Sequence, residues 1–305
     1  MKWRKQGLIF DPSDYCNHPL LVSHAANPIA IHLQDSVFRI LYSGRDIWNR
    51  SSIGSFDFDL HTRRILDVCK KPLFTFGPKG TFYQSGVSIG CVYKKSSVLY
   101  ILFMGWQTSQ AQHWRGDIGR LKINSHFNLE LCPEVPFIGM SSVDPISLSY
   151  PWVIGDDSSG FTMLYGSTLS WDSENGEMIH VLNEAISDDG ENWKFKGLAV
   201  PYQLGVAQAF SRPTVWADKH ESQHLWFSYR SGTGTPYLIG YANKAVSSDK
   251  WELYLTGSGI EPSESGWDSQ MIEYPYVFEH NDTVYMLYNG NSFGKTGIGM
   301  AILER

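Results

Sequence analysis

The sequence is poor in cysteine, and its cysteines lack the pairing that metal modules use. The four residues stand far apart in the chain, without CxxC spacing: Cys16, Cys69, Cys91 and Cys132. This scatter argues against a cysteine zinc module and predicts free, buried thiols. The basic N-terminus also lacks the apolar stretch of a secretory leader. We therefore expect a cytoplasmic, reducing location.

Long apolar runs and an excess of positive charge are also missing. The longest apolar run, Val98 to Met104, suits a buried strand, whereas a membrane span needs about 18 residues. The formal net charge of −6 at pH 7 gives no broad attraction to nucleic acid or to an anionic membrane. We therefore expect neither nucleic acid nor membrane among the partners.

Common cofactor and catalytic motifs are absent from the sequence as well. There is no Walker loop, no HExxH zinc motif and no GxSxG nucleophile elbow. The glycines of Gly232 to Thr235 read as a turn between strands, not as a dinucleotide-binding loop. These absences predict no cofactor and no metal ligand set.

The sequence does contain a motif that is repeated five times. Each copy opens a strand near proline and closes a second strand on an aliphatic-aromatic run. The copies begin at Asn27-Pro28, Gly86-Val87, Tyr150-Pro151, Arg212-Pro213 and Tyr274-Pro275. Their second residues are spaced by 59, 64, 62 and 62 positions. A period that fills residues 1–305 predicts one domain built from repeated units.

Two further strands follow in each copy. The third strand carries an Ile-Gly pair, as in Ile53-Gly54 and Ile298-Gly299, and in the third copy we place Ile179-His180 there. A fourth strand follows a polar turn, as in Trp193 to Leu198. Five copies of four antiparallel strands predict an all-β, five-bladed β-propeller, with a β-sandwich as the alternative.

The last copy ends before its fourth strand. Only six residues follow Gly299, whereas Trp3 to Leu8 has the spacing of the fourth strand that begins at Trp193. We therefore predict that the N-terminal strand pairs with the last blade and closes the ring, because this removes an exposed sheet edge.

The inner strands that open near proline, together with the Ser-Asp-Asp-Gly turn from Ser187 to Trp193, resemble five-bladed glycoside hydrolases. These are the arabinanase/xylosidase family 43, the fructosidase-levansucrase group and the mannoside phosphorylases. The resemblance covers the whole chain and implies a carbohydrate-active enzyme that binds a glycan or a sugar derivative at the mouth of a central channel. A structural cation in that channel, as in relatives, stays an alternative.

The resemblance also implies catalytic carboxyl groups. Glu273 stands two residues before Pro275, as the acid of that group does. No Asp precedes an inner-strand proline, so Asp144 and Asp268 are the candidates for the second carboxylate that glycoside cleavage needs. Both stand seven residues before such a proline, which fits either a shared structural turn or a pair on the channel rim.

Other polar and aromatic residues at these strand entries are predicted to bind substrate. The set consists of Arg212, His24, Asn27, Gln84, Trp114 and Tyr274. Arg212 could instead have a structural role, in which it forms an ion pair with Glu273. Arg45, Arg115 and Arg230, just after second strands, are further candidates. The inner strands lack the Asp-Pro pairs of the resembled group, and one of them begins with Arg212. Both features favour an alternative function, either a non-hydrolytic carbohydrate-binding propeller or an enzyme that acts on an anionic or activated sugar.

Overall fold

The computed structural model describes residues 1–108 and 113–304, which are almost entirely β-structure. The strands of this part of the chain are β1 (Lys2–Phe10), β2 (Ser23–Gln34), β3 (Val37–Arg45), β4 (Ser51–Asp59), β5 (Arg64–Val68), β6 (Gly86–Lys95), β7 (Val98–Thr108), β8 (Trp114–Ile123), β9 (Leu129–Leu131), β10 (Leu148–Asp156), β11 (Gly160–Ser170), β12 (Ile179–Ser187), β13 (Lys194–Leu198), β14 (Gln208–Ala217), β15 (Gln223–Arg230), β16 (Leu238–Lys244), β17 (Glu252–Leu253), β18 (Glu273–His280), β19 (Thr283–Asn289) and β20 (Ile298–Glu304). The helices are short: α1 (Pro12–Tyr15), α2 (Asn291–Gly294) and a 3₁₀ turn at Leu255–Gly257. None of the helices in these two ranges has the length and apolar composition that crossing a bilayer requires.

The strands assemble into groups of four in chain order. Three separate sheets have the orders β10-β11-β12-β13, β14-β15-β16-β17 and β18-β19-β20-β1. The remaining strands form one larger sheet, in which a single parallel pair, Ser51 with Gly86, joins β2–β5 to β6–β9. We call these sets group 1 (β2–β5), group 2 (β6–β9), group 3 (β10–β13), group 4 (β14–β17) and group 5 (β18–β20 with β1).

The predicted pairing of the N-terminal strand with the last strand is present. β1 runs antiparallel to β20, with Trp3 opposite Leu303 and Leu8 opposite Gly299. The indole of Trp3 is 4% exposed and packs edge-to-face on Trp226 at 5.3 Å. Burial of this large aromatic side chain fastens β1 to group 5 and to its neighbour, group 4.

Neighbouring groups are tied together by one recurring hydrogen bond. A polar side chain on the second strand of one group accepts from a backbone N–H on the first strand of the next. The three bonds run from the N–H of Ile89 to Ser43 Oγ (3.2 Å), from that of Tyr274 to Ser228 Oγ (2.7 Å) and from that of Asn27 to Asn289 Oδ1 (3.0 Å). The last bond joins group 5 to group 1, so the first and last groups of the chain are direct neighbours.

This bond corrects the register of the second repeat. Ile89 occupies in group 2 the place of Tyr274 in group 5, and a β-bulge follows it between Ile89 and Cys91. The equivalent of Tyr274-Pro275 is therefore Ile89-Gly90 and not Gly86-Val87, because the missing proline hid the bulge from the sequence. With position 90 as the marker, the first two spacings become 62 and 61 residues.

The third repeat needs a similar correction. Tyr42 lies opposite Gly54, and the equivalent Tyr165 lies opposite Asn183. The Ile-Gly pair of the other copies is therefore replaced by Leu182-Asn183, and Ile179-His180 lies three residues earlier in β12.

The first strands share an unusual backbone conformation. The residue before each inner-strand proline has a positive φ and lies in or beside a register shift of the strand. The residues and their φ angles are Asn27 (55°), Tyr150 (32°), Arg212 (53°) and Tyr274 (53°). Non-glycine residues in this region cost about 1–3 kcal/mol each and cluster at functional sites. The bulges turn these four side chains away from the regular alternation of the strand.

Candidate functional site

A cavity of about 400 Å³ lies where the first strands of the groups meet. Residues at both ends of several loops between second and third strands line it as well. These pairs are Arg45 and Ser51 in group 1, Thr108 and Trp114 in group 2, and Arg230 and Tyr237 in group 4. The described ends of these connections therefore lie at the cavity.

The charge that lines this cavity is positive. Arg45 and Arg230 contribute it, and no Asp or Glu is among the lining residues in the described part of the chain. The Arg230 guanidinium forms an ion pair with Glu177 at 2.7 Å and lies over the Tyr237 ring at 4.9 Å. The Arg45 side chain, by contrast, has no ion pair or hydrogen bond with any described residue. Its guanidinium is available to an anionic ligand.

A buried acceptor faces the same space. Asn27 lines the cavity, is 2% exposed, and its Oδ1 atom has no hydrogen-bond partner among the described residues. An unpaired buried acceptor costs about 1–3 kcal/mol. A hydroxyl or N–H donor of a bound ligand would satisfy it.

A serine and a histidine form a linked pair in the cavity wall. Ser149 Oγ lies 2.6 Å from His180 Nε2, and the other ring nitrogen, Nδ1, lies 2.8 Å from Thr168 Oγ1. Burial lowers the pKa of His180 to about 3, so the ring is neutral at physiological pH. A Cβ on Gly166 would overlap both Ser149 Oγ and His180 Nε2, so this close approach requires glycine.

Aromatic rings form the apolar part of the wall. Trp106 donates from Nε1 to Ser51 Oγ at 3.1 Å, and Trp114 packs edge-to-face on Trp171 at 4.9 Å. Tyr150 and Tyr274 face each other at 5.6 Å. Fixed aromatic faces next to hydroxyl groups suit a ligand with both C–H faces and polar edges, as a sugar ring has.

Glu273, the predicted acid, is fully buried beside the cavity wall. It is 0% exposed and is not itself among the lining residues, although the next residue, Tyr274, lines the cavity. Neither carboxyl oxygen accepts a hydrogen bond of ordinary geometry from the described residues. Burial raises the pKa of Glu273 well above its usual value and outweighs the opposing effects of Arg45, Arg230 and the Phe293 N–H. Burial therefore favours the protonated, neutral form of this carboxyl group.

Asp144 and Asp268 lie in equivalent places, as the sequence indicated. Asp144 accepts from Tyr165 Oη (2.8 Å) and from an amide side chain, whereas Asp268 accepts from Tyr288 Oη (3.0 Å) and from Lys5 Nζ (2.7 Å). Both are at most 2% exposed, and neither lines the cavity. Of the two interpretations that the sequence left open, this geometry favours the structural turn.

Arg212 does not lie where the sequence placed it. Its side chain is 0% exposed and is not among the lining residues. The guanidinium donates to the carbonyl oxygens of Ile89 and, at 2.6 Å, of Pro28. It forms no ion pair with Glu273. Arg212 therefore links group 4 to groups 1 and 2 inside the core.

The other predicted substrate-binding residues divide between the cavity and its surroundings. Asn27, Trp114 and Tyr274 line the cavity together. His24 and Gln84 are not among the lining residues: His24 bonds Ser23 at 2.9 Å, and Gln84 accepts from the Gly80 N–H at 2.6 Å. Burial, assisted by nearby cations, lowers the pKa of His24 to about 4.

Two of the three further candidates just after second strands line the cavity. Arg45 and Arg230 follow the aliphatic-aromatic runs of β3 and β15, and their position in the repeat was the signal that pointed to them. Arg115, the third such arginine, instead pairs with Asp117 at 3.3 Å. Ser149 and His180 carried no recognisable signal, because the register of the third repeat was misread.

The described residues were also compared with the requirements of a metal site and of a disulfide. No cluster of three or more His, Cys, Asp or Glu side chains there is arranged to hold a metal ion. All four cysteines are unpaired.

Solved structures with the same fold are glycoside hydrolases. A thermostable family-43 glycoside hydrolase superposes with a TM-score of 0.68, at 14% identity over 95% of this chain and 93% of its own. A member of the GH130 family of mannoside phosphorylases gives 0.69, at 12% identity over 99% and 93%. A glycosyl hydrolase from Bacteroides ovatus gives 0.71, at 11% identity over 100% and 94%. The resemblance to propeller glycoside hydrolases is confirmed at the level of the fold.

Proteins with similar sequences identify the family to which the chain belongs. No established family profile matches the sequence. Uncharacterized protein Rv1502 of Mycobacterium tuberculosis (strain ATCC 25618 / H37Rv) is 37% identical over 306 residues, which cover all of both chains. Uncharacterized protein MT1551 of the same species (strain CDC 1551 / Oshkosh) matches equally. The protein therefore belongs to the family of these mycobacterial proteins, and it has the propeller fold of the glycoside hydrolases.

Proposed function

We propose that the protein is a carbohydrate-active propeller whose cavity binds a sugar derivative bearing an anionic group. The observation that carries this proposal is the charge of the lining: two arginines, one of them unpaired, and no described carboxylate. A guanidinium fork matches a carboxylate or a phosphate with two parallel hydrogen bonds. The Asn27 acceptor and the aromatic walls supply the remaining contacts of a sugar ring.

The five groups of strands are, in this proposal, the blades of a closed five-bladed ring. Support comes from the β1–β20 pairing and from the contact between groups 5 and 1. The cavity is then the mouth of the central channel, and Arg212 fills the channel below it.

Glu273 is the proposed proton donor of the site. A carboxyl group held neutral by burial can protonate a leaving oxygen, which is the task of the acid in glycoside cleavage. A second carboxylate in the lining is lacking among the described residues, which disfavours the paired-carboxylate hydrolase mechanism. The nucleophile is then water or the hydroxyl or anionic group of a second substrate, bound beside the first.

The proposal is tested by calorimetric binding of matched sugars, with glucose and galactose compared with their uronic acids and 6-phosphates. We expect the anionic member of a pair to bind more tightly, and Arg45→Gln to weaken it about tenfold through loss of a charged hydrogen bond. Arg4→Gln is the matched control, since this exposed arginine makes the same change of charge on β1. Equal binding of neutral and anionic sugars, or no effect of Arg45→Gln, would contradict the proposal.

The proposed role of Glu273 as proton donor is tested separately. Turnover of 4-nitrophenyl glucuronide and galacturonide is compared between the wild-type protein and Glu273→Gln. Loss of turnover with retained binding supports Glu273 as the acid, whereas unchanged turnover removes it from that role.

A further inference from the structure

An exposed tryptophan stands at the rim of the cavity. The loop of residues 46–50 joins β3 to β4, and the residues on either side of it, Arg45 and Ser51, both line the cavity. At its tip, Ile47 is 71% exposed and Trp48 is 69% exposed. Trp48 lies three positions from Arg45, so its Cα atom is within about 11 Å of the Cα atom of that lining residue.

The loop holds this indole in place although solvent surrounds it. The buried Asp46 carboxylate accepts from the backbone N–H groups of Trp48 (2.9 Å) and Arg50 (2.8 Å). It also forms an ion pair with the Arg50 guanidinium at 2.8 Å. A short loop with its ends and its tip bonded to one buried group loses little conformational entropy on binding a ligand.

One face of the indole is covered, and the other is open. The Arg50 guanidinium lies over the Trp48 ring at 5.1 Å and over the Phe76 ring at 4.0 Å, between the two aromatic groups. The cation–π contact with Arg50 restrains the orientation of Trp48, and most of the side chain stays exposed to solvent. An oriented, half-covered aromatic ring matches the C–H face of a pyranose.

We propose that Trp48 is a stacking platform for a second sugar ring of a ligand whose first ring lies in the cavity. The ligand is then an oligosaccharide or a glycosylated chain and not a free monosaccharide. This inference rests on the proposed carbohydrate function, and it adds a binding subsite on group 1 outside the cavity.

The test places 5-fluorotryptophan in the full chain and follows each indole by ¹⁹F NMR, with signals assigned by single Trp→Phe variants. The probes are mono-, di- and trisaccharides of glucose, galactose, mannose and their uronic acids. We expect monosaccharides to shift the signals of Trp106 and Trp114 alone, and the longer saccharides to shift that of Trp48 as well.

Substitutions separate stacking from general hydrophobicity. Trp48→Ala should weaken the di- and trisaccharides about tenfold, the effect of losing one aromatic contact, and leave the monosaccharide unchanged. Trp48→Phe should retain most of the affinity. The matched control is Ile47→Ala in the same loop, which removes an equally exposed apolar side chain and should change nothing.

The outcomes distinguish this inference from the proposed function. If saccharides shift Trp106 and Trp114 but no oligomer shifts Trp48, the platform is wrong and the cavity proposal stands. If only Trp48 responds, the cavity does not bind the first ring, so the cavity proposal fails and the inference of a ligand shared with Trp48 is overturned with it. If no indole responds to any saccharide, both are wrong. If phosphatidylglycerol vesicles shift Trp48 where saccharides do not, the tip is a membrane contact and the inference is overturned.

Discussion

The guanidinium of Arg212 donates a hydrogen bond to the carbonyl oxygen of Pro28 at 2.6 Å and a second to that of Ile89. These acceptors belong to the first strands of groups 1 and 2, whereas the donor belongs to group 4. One buried side chain thus joins three groups through backbone carbonyl oxygens.

Replacing Arg212 by methionine should destabilise the protein by about 3 kcal/mol, because two buried carbonyl groups lose a charged donor. Urea denaturation at constant pH measures this, with Arg4→Met on the surface as the control. An unchanged midpoint would mean that water replaces the guanidinium and that the link adds no stability.

Removal of the carboxylates of Asp144 and Asp268 should affect folding and leave ligand binding intact. Asp268→Ala should cost about 2–3 kcal/mol, since it strands the Tyr288 hydroxyl and the Lys5 ammonium group. In combination with Tyr288→Phe the loss should be less than additive, which a double-mutant cycle detects.

The same cycle applies to Asp144 with Tyr165. Retained stability together with lost turnover in either Ala variant would instead place that carboxylate on the channel rim.

Glu273→Gln should remove one component of the pH dependence of stability. The folded-state pKa of Glu273 is raised by burial, so its contribution to stability is full below about pH 4.5 and is lost as the pH rises through the folded pKa. The Gln variant, neutral at every pH, should therefore gain stability relative to the wild-type protein between pH 5 and 8. Denaturation midpoints across this interval give the answer, and parallel curves for the two proteins would show that Glu273 is ionised in the folded state.

Gly166→Ala should disrupt the Ser149–His180 pair. The added Cβ has to displace Ser149 Oγ or the imidazole, at a cost of about 1–3 kcal/mol for overpacking a buried site. Gly232→Ala is the matched control, because nothing lies within 4 Å of the position that its Cβ would take and its φ is not positive. Equal thermal stability of the two variants would show that β12 shifts freely and that the close approach is not required.

The sequence predicted the repeat, the all-β content and the pairing of Trp3 with the last strand, since these depend on local alternation and on spacing. It failed at Gly86-Val87 and Ile179-His180, where a bulge without proline and an Asn in place of Gly shifted the apparent register. Among site residues, position before a proline identified Asn27 and Tyr274 correctly as cavity residues and misplaced Arg212. All three residues have a positive φ, and the sequence motif does not predict the direction of a side chain in that conformation.

What the sequence determined by itself is the order of strands, because hydrophobic alternation and turn residues act over a few neighbouring positions. What only the tertiary structure decided is the chemistry of the site. The charge of the lining arises from Arg45 and Arg230, which are 185 positions apart in the chain. The raised pKa of Glu273 arises from burial, and the buried Arg212 guanidinium is held by acceptors in two other groups. Desolvation and long-range contact set all three properties, and neither is encoded in a local stretch of sequence.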